Sequence, residues 1–556
     1  MWIVIALAIA YVFPGMTEYG PWKPDEPYVF GMVHSLMQSG DWVVPTLAGE
    51  PFMEKPPLYV WVAAFTATLS SPWISAEHGA RLAIGVFMLV TLVCLGLAAR
   101  RWWGRGQGRM AALAALGSIG LAQHGHMMIP DLPLLAGFAV ALLGFAWINE
   151  HPRKGGLLLG TGIGMAFMGK GVLGLAGIGA TALVLPMLFG NWRTVTYRRG
   201  LIYAAAASAP WLLIWPAALY FRSPALFMEW FWLNNIGRFL GFSVAALGAA
   251  HDPGFMPSTV PWFTFPALPL AGCALWNKRK ILMSSPACQV NVTMFAIMVA
   301  TLSVSASARA VYLLPLLAPL AIIAAPGAMM LTTRFDIAAD WVARVLFGSL
   351  VVLVWGVAIW FAMSGRPPEW SLLNRHLPMD FSFELRPHQV VAAIGLLAAW
   401  IFIMPRAVAM RGRGLLSWTS GITVLWGTLF ALLLPWIDAA KSYQATFSEL
   451  NESIPLNAGC VASMGLGESE RGMLHYVTGI ISKRLEVAPE PDCDVLLRQG
   501  ISSEPPRHLA EEGWHLLWEG SRPGEQRERF WLFVRRSDVA ATLPQAQTPR
   551  VGAGGL

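Results

Sequence analysis

Trp22-Lys23-Pro24-Asp25-Glu26-Pro27 follows a short apolar stretch at the start of the chain, and Phe52-Met53-Glu54-Lys55-Pro56-Pro57 comes soon after it. Two adjacent carboxylates, then an acid beside a lysine, therefore lie in a loop flanked by segments apolar enough for a bilayer interior, where idle charge is costly. Chemistry is expected in that loop.

Working outward, the chain has 556 residues, 56% hydrophobic and 13% charged, with a mean hydropathy of +0.54. That is too apolar and too poor in charge for an ordinary soluble domain. A span needs roughly 20 apolar residues to cross about 30 Å of hydrocarbon. Thirteen segments qualify: 2–16, 80–99, 110–126, 132–149, 156–170, 171–190, 201–220, 258–276, 286–305, 310–331, 341–362, 389–405 and 415–436. The first is short, and its Ala6-Leu7-Ala8 also reads as a weak cleavage signal. Either reading exports the residues from 17 onward.

Short loops rich in lysine and arginine stay in the cytoplasm. Arg100, Arg101, Arg105 and Arg109, then Arg153 and Lys154, Arg193, Arg198 and Arg199, Lys278, Arg279 and Lys280, and Arg406, Arg411 and Arg413 supply such loops. The loops 17–79, 221–257 and 363–388 and everything after the last span then face the other side, which in a bacterium is the periplasm across the inner membrane. Topology accounts for the net charge of +7, so no nucleic-acid partner is needed. Residues 1–436 read as the transmembrane domain, 437–540 as a small α/β domain and 541–556 as a disordered tail. Strand-like runs at 460–464, 494–498, 514–518 and 529–535 and helical runs at 440–451 and 469–477 build the α/β part. Helices lying at the membrane interface are expected at 28–38 and 58–69. The expected fold is mainly α, a polytopic membrane helix bundle of about 13 spans carrying a small exported α/β domain. Cys460 and Cys493 both fall in the exported part, where a disulfide persists, but sequence leaves their pairing open.

Asp25 can serve as a general base or hold an acceptor, with Pro24 and Pro27 stiffening its presentation. Lys55, Lys170, Arg238 and Arg309 all map to the exported side, and fixed cations there would stabilise a departing phosphate. Asp131 opens a helix, where it either favours the helix dipole or serves the site. His251 could meet an acceptor phosphate or sit at the interface, and Tyr312 could bond a phosphate or anchor its helix. His124 and His126, two apart, do not share a helix face as metal ligands would. A divalent ion could sit beside Asp25, Glu54 or a histidine, though no spacing demands one. Charges gathered on one side argue against a transporter, which places them near the midplane and shows paired repeats.

The order Pro24-Asp25-Glu26, Ser39-Gly40-Asp41-Trp42, Glu54-Lys55-Pro56-Pro57, Pro130-Asp131, Phe167-Met168-Gly169-Lys170-Gly171, Asn234-Asn235-Ile236-Gly237-Arg238-Phe239 and Tyr312-Leu313-Leu314-Pro315 resembles the lipid A aminoarabinose transferases (ArnT-like) and the wider protein O-mannosyltransferase-related group. The resemblance implies a GT-C bundle that transfers a sugar, 4-amino-4-deoxy-L-arabinose or a related one, from polyprenyl (undecaprenyl) phosphate to lipid A with inversion. A protein or another glycan is the alternative acceptor. It implies the principal acidic role for Asp25, with Glu26 its neighbour in the same catalytic motif, and a contact from Lys55 to the carrier phosphate; the residues themselves add Arg238, Arg309 and Tyr312 as expected donor-phosphate contacts. Asp131, Lys170, Asn235 and His251 are the expected substrate contacts. No cofactor beyond the lipid carrier is implied, and a monomer is expected. One departure stands out: relatives commonly carry a lysine two residues before the tyrosine of Tyr312-Leu-Leu-Pro, where this chain has Ala310, with Arg309 one step earlier.

Overall fold

The computed structural model describes residues 2–535 apart from 244–253, 278, 280–283, 306–308, 371–376, 380, 383–384, 408–410, 457, 488–492, 502–504, 506–508, 510–511, 524 and 526–527. His251 and the tail 541–556 fall outside the described residues, as do parts of the loops 221–257 and 363–388.

All thirteen apolar segments are helical over most of their length. Among the described residues, eight helices are long and apolar enough to cross a bilayer: Ala76–Trp103, Asp131–Ile148, Val195–Arg222, Pro286–Val304, Ala310–Met330, Thr333–Ser364, Pro387–Met404 and Arg413–Lys441. The chain is a multi-pass membrane protein. Trp2–Val12 and Val172–Leu188 are shorter apolar helices. Two of the expected spans are broken. The segment 110–126 splits at Gly117-Ser118 into Gln107–Leu116 and Ile119–His124. The segment 258–276 splits into Phe255–Phe263 and Ala267–Asn277 at the cis Phe265-Pro266 bond, and a residue before proline disfavours the helical region.

The helices Asp131–Ile148 and Pro152–Lys170 form an antiparallel hairpin whose backbones nearly touch. A Cβ on Gly137 would lie 2.6 Å from the Gly162 carbonyl oxygen, and one on Gly162 would lie 2.5 Å from that of Gly137. Small residues at such a seam let helices approach closely in lipid. The hairpin brings its two open ends together, so Asp131 meets Lys170.

Within 17–79, helices form at Glu26–Ser39 and Leu58–Ser70, where helical runs were expected. Between them strands β1 (Thr46–Leu47) and β2 (Glu50–Pro51) turn through Ala48 and Gly49, both at positive φ, as a two-residue hairpin demands.

The expected boundary at 437 lies inside a helix, because Arg413–Lys441 continues past its apolar part before breaking at Ser442. A helix over Gln444–Ser453 and five strands follow: β3 (Val461–Met464), β4 (Lys483–Arg484), β5 (Val495–Gly500), β6 (Trp514–Gly520) and β7 (Arg529–Arg535). Their order is β4-β3-β5-β7-β6, with β3 parallel to β4 and β5 and the remaining pairs antiparallel. The helix Glu468–Thr478 connects β3 to β4. Cys460 and Cys493 form a disulfide at the entry to β3 and β5, resolving the pairing.

Candidate active site

Asp25 occupies the residue before the helix Glu26–Ser39, and Pro27 in its first turn suits a position that needs no backbone donor. The stretch ahead of it is zipped to the C-terminal unit. Trp22 forms an isolated antiparallel bridge with Ser442. Lys23 Nζ lies 2.7 Å from Oε1 of both Glu470 and Glu528. Ser469 Oγ donates to the Pro24 carbonyl at 2.6 Å. Continuing this register, Asp25 and Glu468 both line one polar cavity of about 320 Å³.

The cavity's other walls come from distant parts of the chain. Glu54 and Lys55 enter from the loop after β2, Asp131 and Lys170 from the open end of the helix hairpin, and Arg309 and Tyr312 from the approach to the helix Leu314–Met330. Arg238 follows a π-helical turn at Glu229–Gly237, a distortion that often marks functional positions.

Charges in the cavity are partly matched. Arg238 Nη1 lies 3.1 Å from Glu54 Oε2. Lys170 pairs with Asp131 and sits 3.6 Å from the centre of the Tyr312 ring. Lys55 donates to the Tyr28 hydroxyl. Burial works against the charge on Lys55, but the Tyr28 oxygen and the carboxylates of Glu54 and Asp131 outweigh it and push its pKa up. Lys55 therefore stays cationic. Arg238 Nε is buried without a hydrogen-bond partner among the described residues. Arg309 is exposed at the rim. Among the described residues, no hydrogen bond or ion pair reaches the side-chain carboxylates of Asp25 or Glu468.

A second, mostly apolar pocket of about 230 Å³ shares Glu54, Lys55, Lys170, Arg238 and Tyr312 with the polar one. It continues along Val172, Leu173, Ala176, Ile236, Phe239 and Leu302. A charged chamber thus opens into a greasy groove between helices, which suits an amphiphile with an anionic head.

Several expected site residues are placed differently. Glu26 turns away from the cavity: its carboxylate, 1% exposed, pairs with Arg81 at 2.6 Å and accepts from the backbone of Trp22 and Met128. Asn235 lines the apolar pocket, but its amide is engaged by backbone, Oδ1 with Val172 N and Nδ2 with Trp230 O. It ties the π-helical turn to the start of the helix Val172–Leu188. Glu54 is engaged by Arg238, and no three His, Cys, Asp or Glu side chains gather as a metal site would need among the described residues. His124 bonds the Gly120 carbonyl, and His126 the Tyr11 carbonyl at 2.6 Å. The sequence reading missed Tyr28, Arg81 and Glu468. A lone arginine within an apolar span was a signal for Arg81; nothing local marked Glu468.

Residues 54–220 match the dolichyl-phosphate-mannose-protein mannosyltransferase family. Undecaprenyl phosphate-alpha-4-amino-4-deoxy-L-arabinose arabinosyl transferase 1 of Pseudomonas fluorescens is 28% identical over 345 residues, 58% of this chain and 56% of that protein. The like-named Aeromonas hydrophila enzyme is 25% identical over 480 residues, covering 80% of this chain and 79% of its own. The match thus spans little more than half the length of the Pseudomonas fluorescens relatives, 56% and 54%. The crystal structure of ArnT from Cupriavidus metallidurans bound to undecaprenyl phosphate superposes with a TM-score of 0.67 at 16% identity, over 96% of this chain and 97% of that one. The motif resemblance and the architecture agree: the chain is a polytopic membrane protein of GT-C fold, related to the ArnT aminoarabinosyl transferases and, across residues 54–220, to the protein mannosyltransferases.

Proposed function

We propose that the chain is a glycosyltransferase that moves 4-amino-4-deoxy-L-arabinose, or a related sugar, from undecaprenyl phosphate to lipid A on the periplasmic side of the inner membrane. The observation that carries this reading is the sharing of Glu54, Lys55, Lys170, Arg238 and Tyr312 by the polar cavity and the apolar groove. A polyprenyl phosphate has the same division, with a dianionic or diester head on a hydrocarbon chain.

In this reading the prenyl chain lies along Val172, Leu173 and Phe239, and the phosphate meets Lys55, Lys170 and Arg238. The acceptor oxygen attacks the anomeric carbon as the bond from that carbon to the phosphate oxygen breaks, inverting the sugar. The bonding pair leaves with the phosphate, and fixed cations in a water-poor chamber stabilise that developing charge better than water would. Asp25 lies at the reacting sugar. For a hydroxyl acceptor it takes the proton; a lipid A phosphate is already ionised, and Asp25 then orients the sugar. His251 stays a candidate acceptor contact.

The test is transfer by the purified full chain in lipid vesicles supplied with undecaprenyl phosphate aminoarabinose and lipid A, read by mass spectrometry. A pentosamine added to lipid A supports the reading. Unmodified lipid A would overturn the lipid A acceptor, and transfer to a peptide or glycan added in its place would shift the acceptor to a protein or another glycan, an alternative favoured by the mannosyltransferase pattern over 54–220.

A further inference from the structure

Burial and pairing divide the acids of the polar cavity into two groups. Glu54 and Asp131 are neutralised by Arg238 and Lys170. Asp25 and Glu468 are not, and they come from opposite ends of the chain. The antiparallel zipper Lys23–Glu470 and Pro24–Ser469 sets them next in register, each presented to the same chamber.

We propose that Glu468, delivered by the C-terminal unit, contacts the cationic amine of an amino sugar on the lipid carrier and selects that sugar over a neutral one. The inference rests on the sugar transfer proposed above.

Three features of the structure support it. The helix that carries Glu468 is held on both sides: Ser469 by Pro24, Glu470 by Lys23, and Arg471 by Glu50 at 2.7 Å. The glutamate is thus preorganised by its neighbours, as recognition requires. An unpaired carboxylate in a confined chamber is costly unless a bound group compensates it. Burial, reinforced by the negative charge of Glu54, pushes the Glu468 carboxyl above its ordinary range, although Lys55, Arg471 and Arg238 pull the other way. A ligand cation would relieve that cost, whereas a neutral sugar would leave it in place. An acceptor phosphate is the wrong sign for this wall, because two carboxylates with no direct ion-pair partner among the described residues repel it. The cations Lys55, Lys170 and Arg238 gather where the chamber meets the apolar groove, so phosphate and amine would be met by separate groups.

The experiment uses the full chain in lipid vesicles with two donors: undecaprenyl phosphate aminoarabinose, and the same donor with its amine acetylated. The wild type should prefer the free amine by roughly tenfold or more in kcat/KM, the size of one charge-assisted contact. Glu468→Gln should compress that ratio to within about twofold of unity, and Glu468→Asp should restore part of it. Equal use of both donors by the wild type overturns the proposal, as does a loss in Glu468→Gln that is the same for both. A fall in affinity for undecaprenyl phosphate alone in Glu468→Gln overturns it too, since Glu468 would then act through the fold or the phosphate site. Failure of the underlying reading looks different: the wild type transfers from neither donor, and the selectivity claim falls with it.

Discussion

Glu26 Oε1 lies 2.6 Å from Arg81 Nη1, and the two side chains are 1% and 0% exposed. The same guanidinium donates to the Gly20 carbonyl at 2.6 Å and stacks 3.6 Å from the Tyr19 ring centre. Arg81 belongs to the helix Ala76–Trp103, so this pair fastens the acidic loop to a membrane span. Glu26 holds the loop that presents Asp25.

Breaking that pair should damage the fold more than the chemistry. Removing one partner of a buried ion pair strands the other charge and costs about 3–5 kcal/mol. Arg81→Met should therefore lower the thermal unfolding temperature sharply, and the double variant Glu26→Leu/Arg81→Met should recover much of the loss. A single variant as stable as the wild type would show that water reaches the pair.

Asp25→Asn should behave in the opposite way. The substitution keeps the shape of a side chain that is partly exposed and carries no hydrogen bond or ion pair among the described residues, so stability should change little. Turnover should fall by about a hundredfold or more, the usual contribution of a positioned acid or base. Undecaprenyl phosphate should still bind. Retained transfer would refute the role assigned to Asp25.

These two neighbours also show where sequence runs out. Pro24-Asp25-Glu26-Pro27 stood out because charge beside apolar spans is costly, but adjacency cannot say which acid faces the cavity. Successive helical residues point about 100° apart at 3.6 residues per turn, and tertiary contacts with Arg81 decided the matter. Eight of the thirteen expected spans stand as long apolar helices among the described residues because hydropathy is a local property; the breaks at Ser118 and Pro266 were not legible, since short gaps barely dent an apolar window. Strand β4, two residues long, has no periodicity to read. Glu468 was invisible because its meaning depends on a contact made 445 positions away, between Ser469 and Pro24.

Lys170 and Arg238 should separate affinity from geometry. Lys170→Met removes a cation from the rim shared by the two pockets and leaves Asp131 unpaired. Each charge-assisted hydrogen bond is worth about 1.5–3 kcal/mol, so affinity for undecaprenyl phosphate should fall by roughly tenfold to a hundredfold. Arg238→Lys keeps the charge but loses the planar fork that serves Glu54. Its affinity should fall as well, showing that charge alone is insufficient. Unchanged binding in both variants, measured by titration in detergent, would remove the phosphate from this cavity.

Acid should loosen the seam that carries Glu468 to the cavity. His34 on the helix Glu26–Ser39 and His475 on the helix Glu468–Thr478 face each other with ring centres 5.0 Å apart. Burial, then repulsion from His475, lowers the pKa of His34 from 6.5 to about 4, and burial lowers that of His475. Between these values the unfolded chain binds more protons than the folded one, so stability rises with pH. The contribution is complete above about pH 6.5 and is lost as the pH falls toward 4. Glu470 acts later: burial raises its pKa, but Lys23 and the Tyr443 hydroxyl outweigh that and hold it well below its usual 4.5, so its share is lost only in stronger acid. Thermal unfolding should thus begin at lower temperature at pH 5 than at pH 7, and His34→Gln should flatten that dependence. A wild-type profile already flat over this interval would mean that the two rings accept protons without separating.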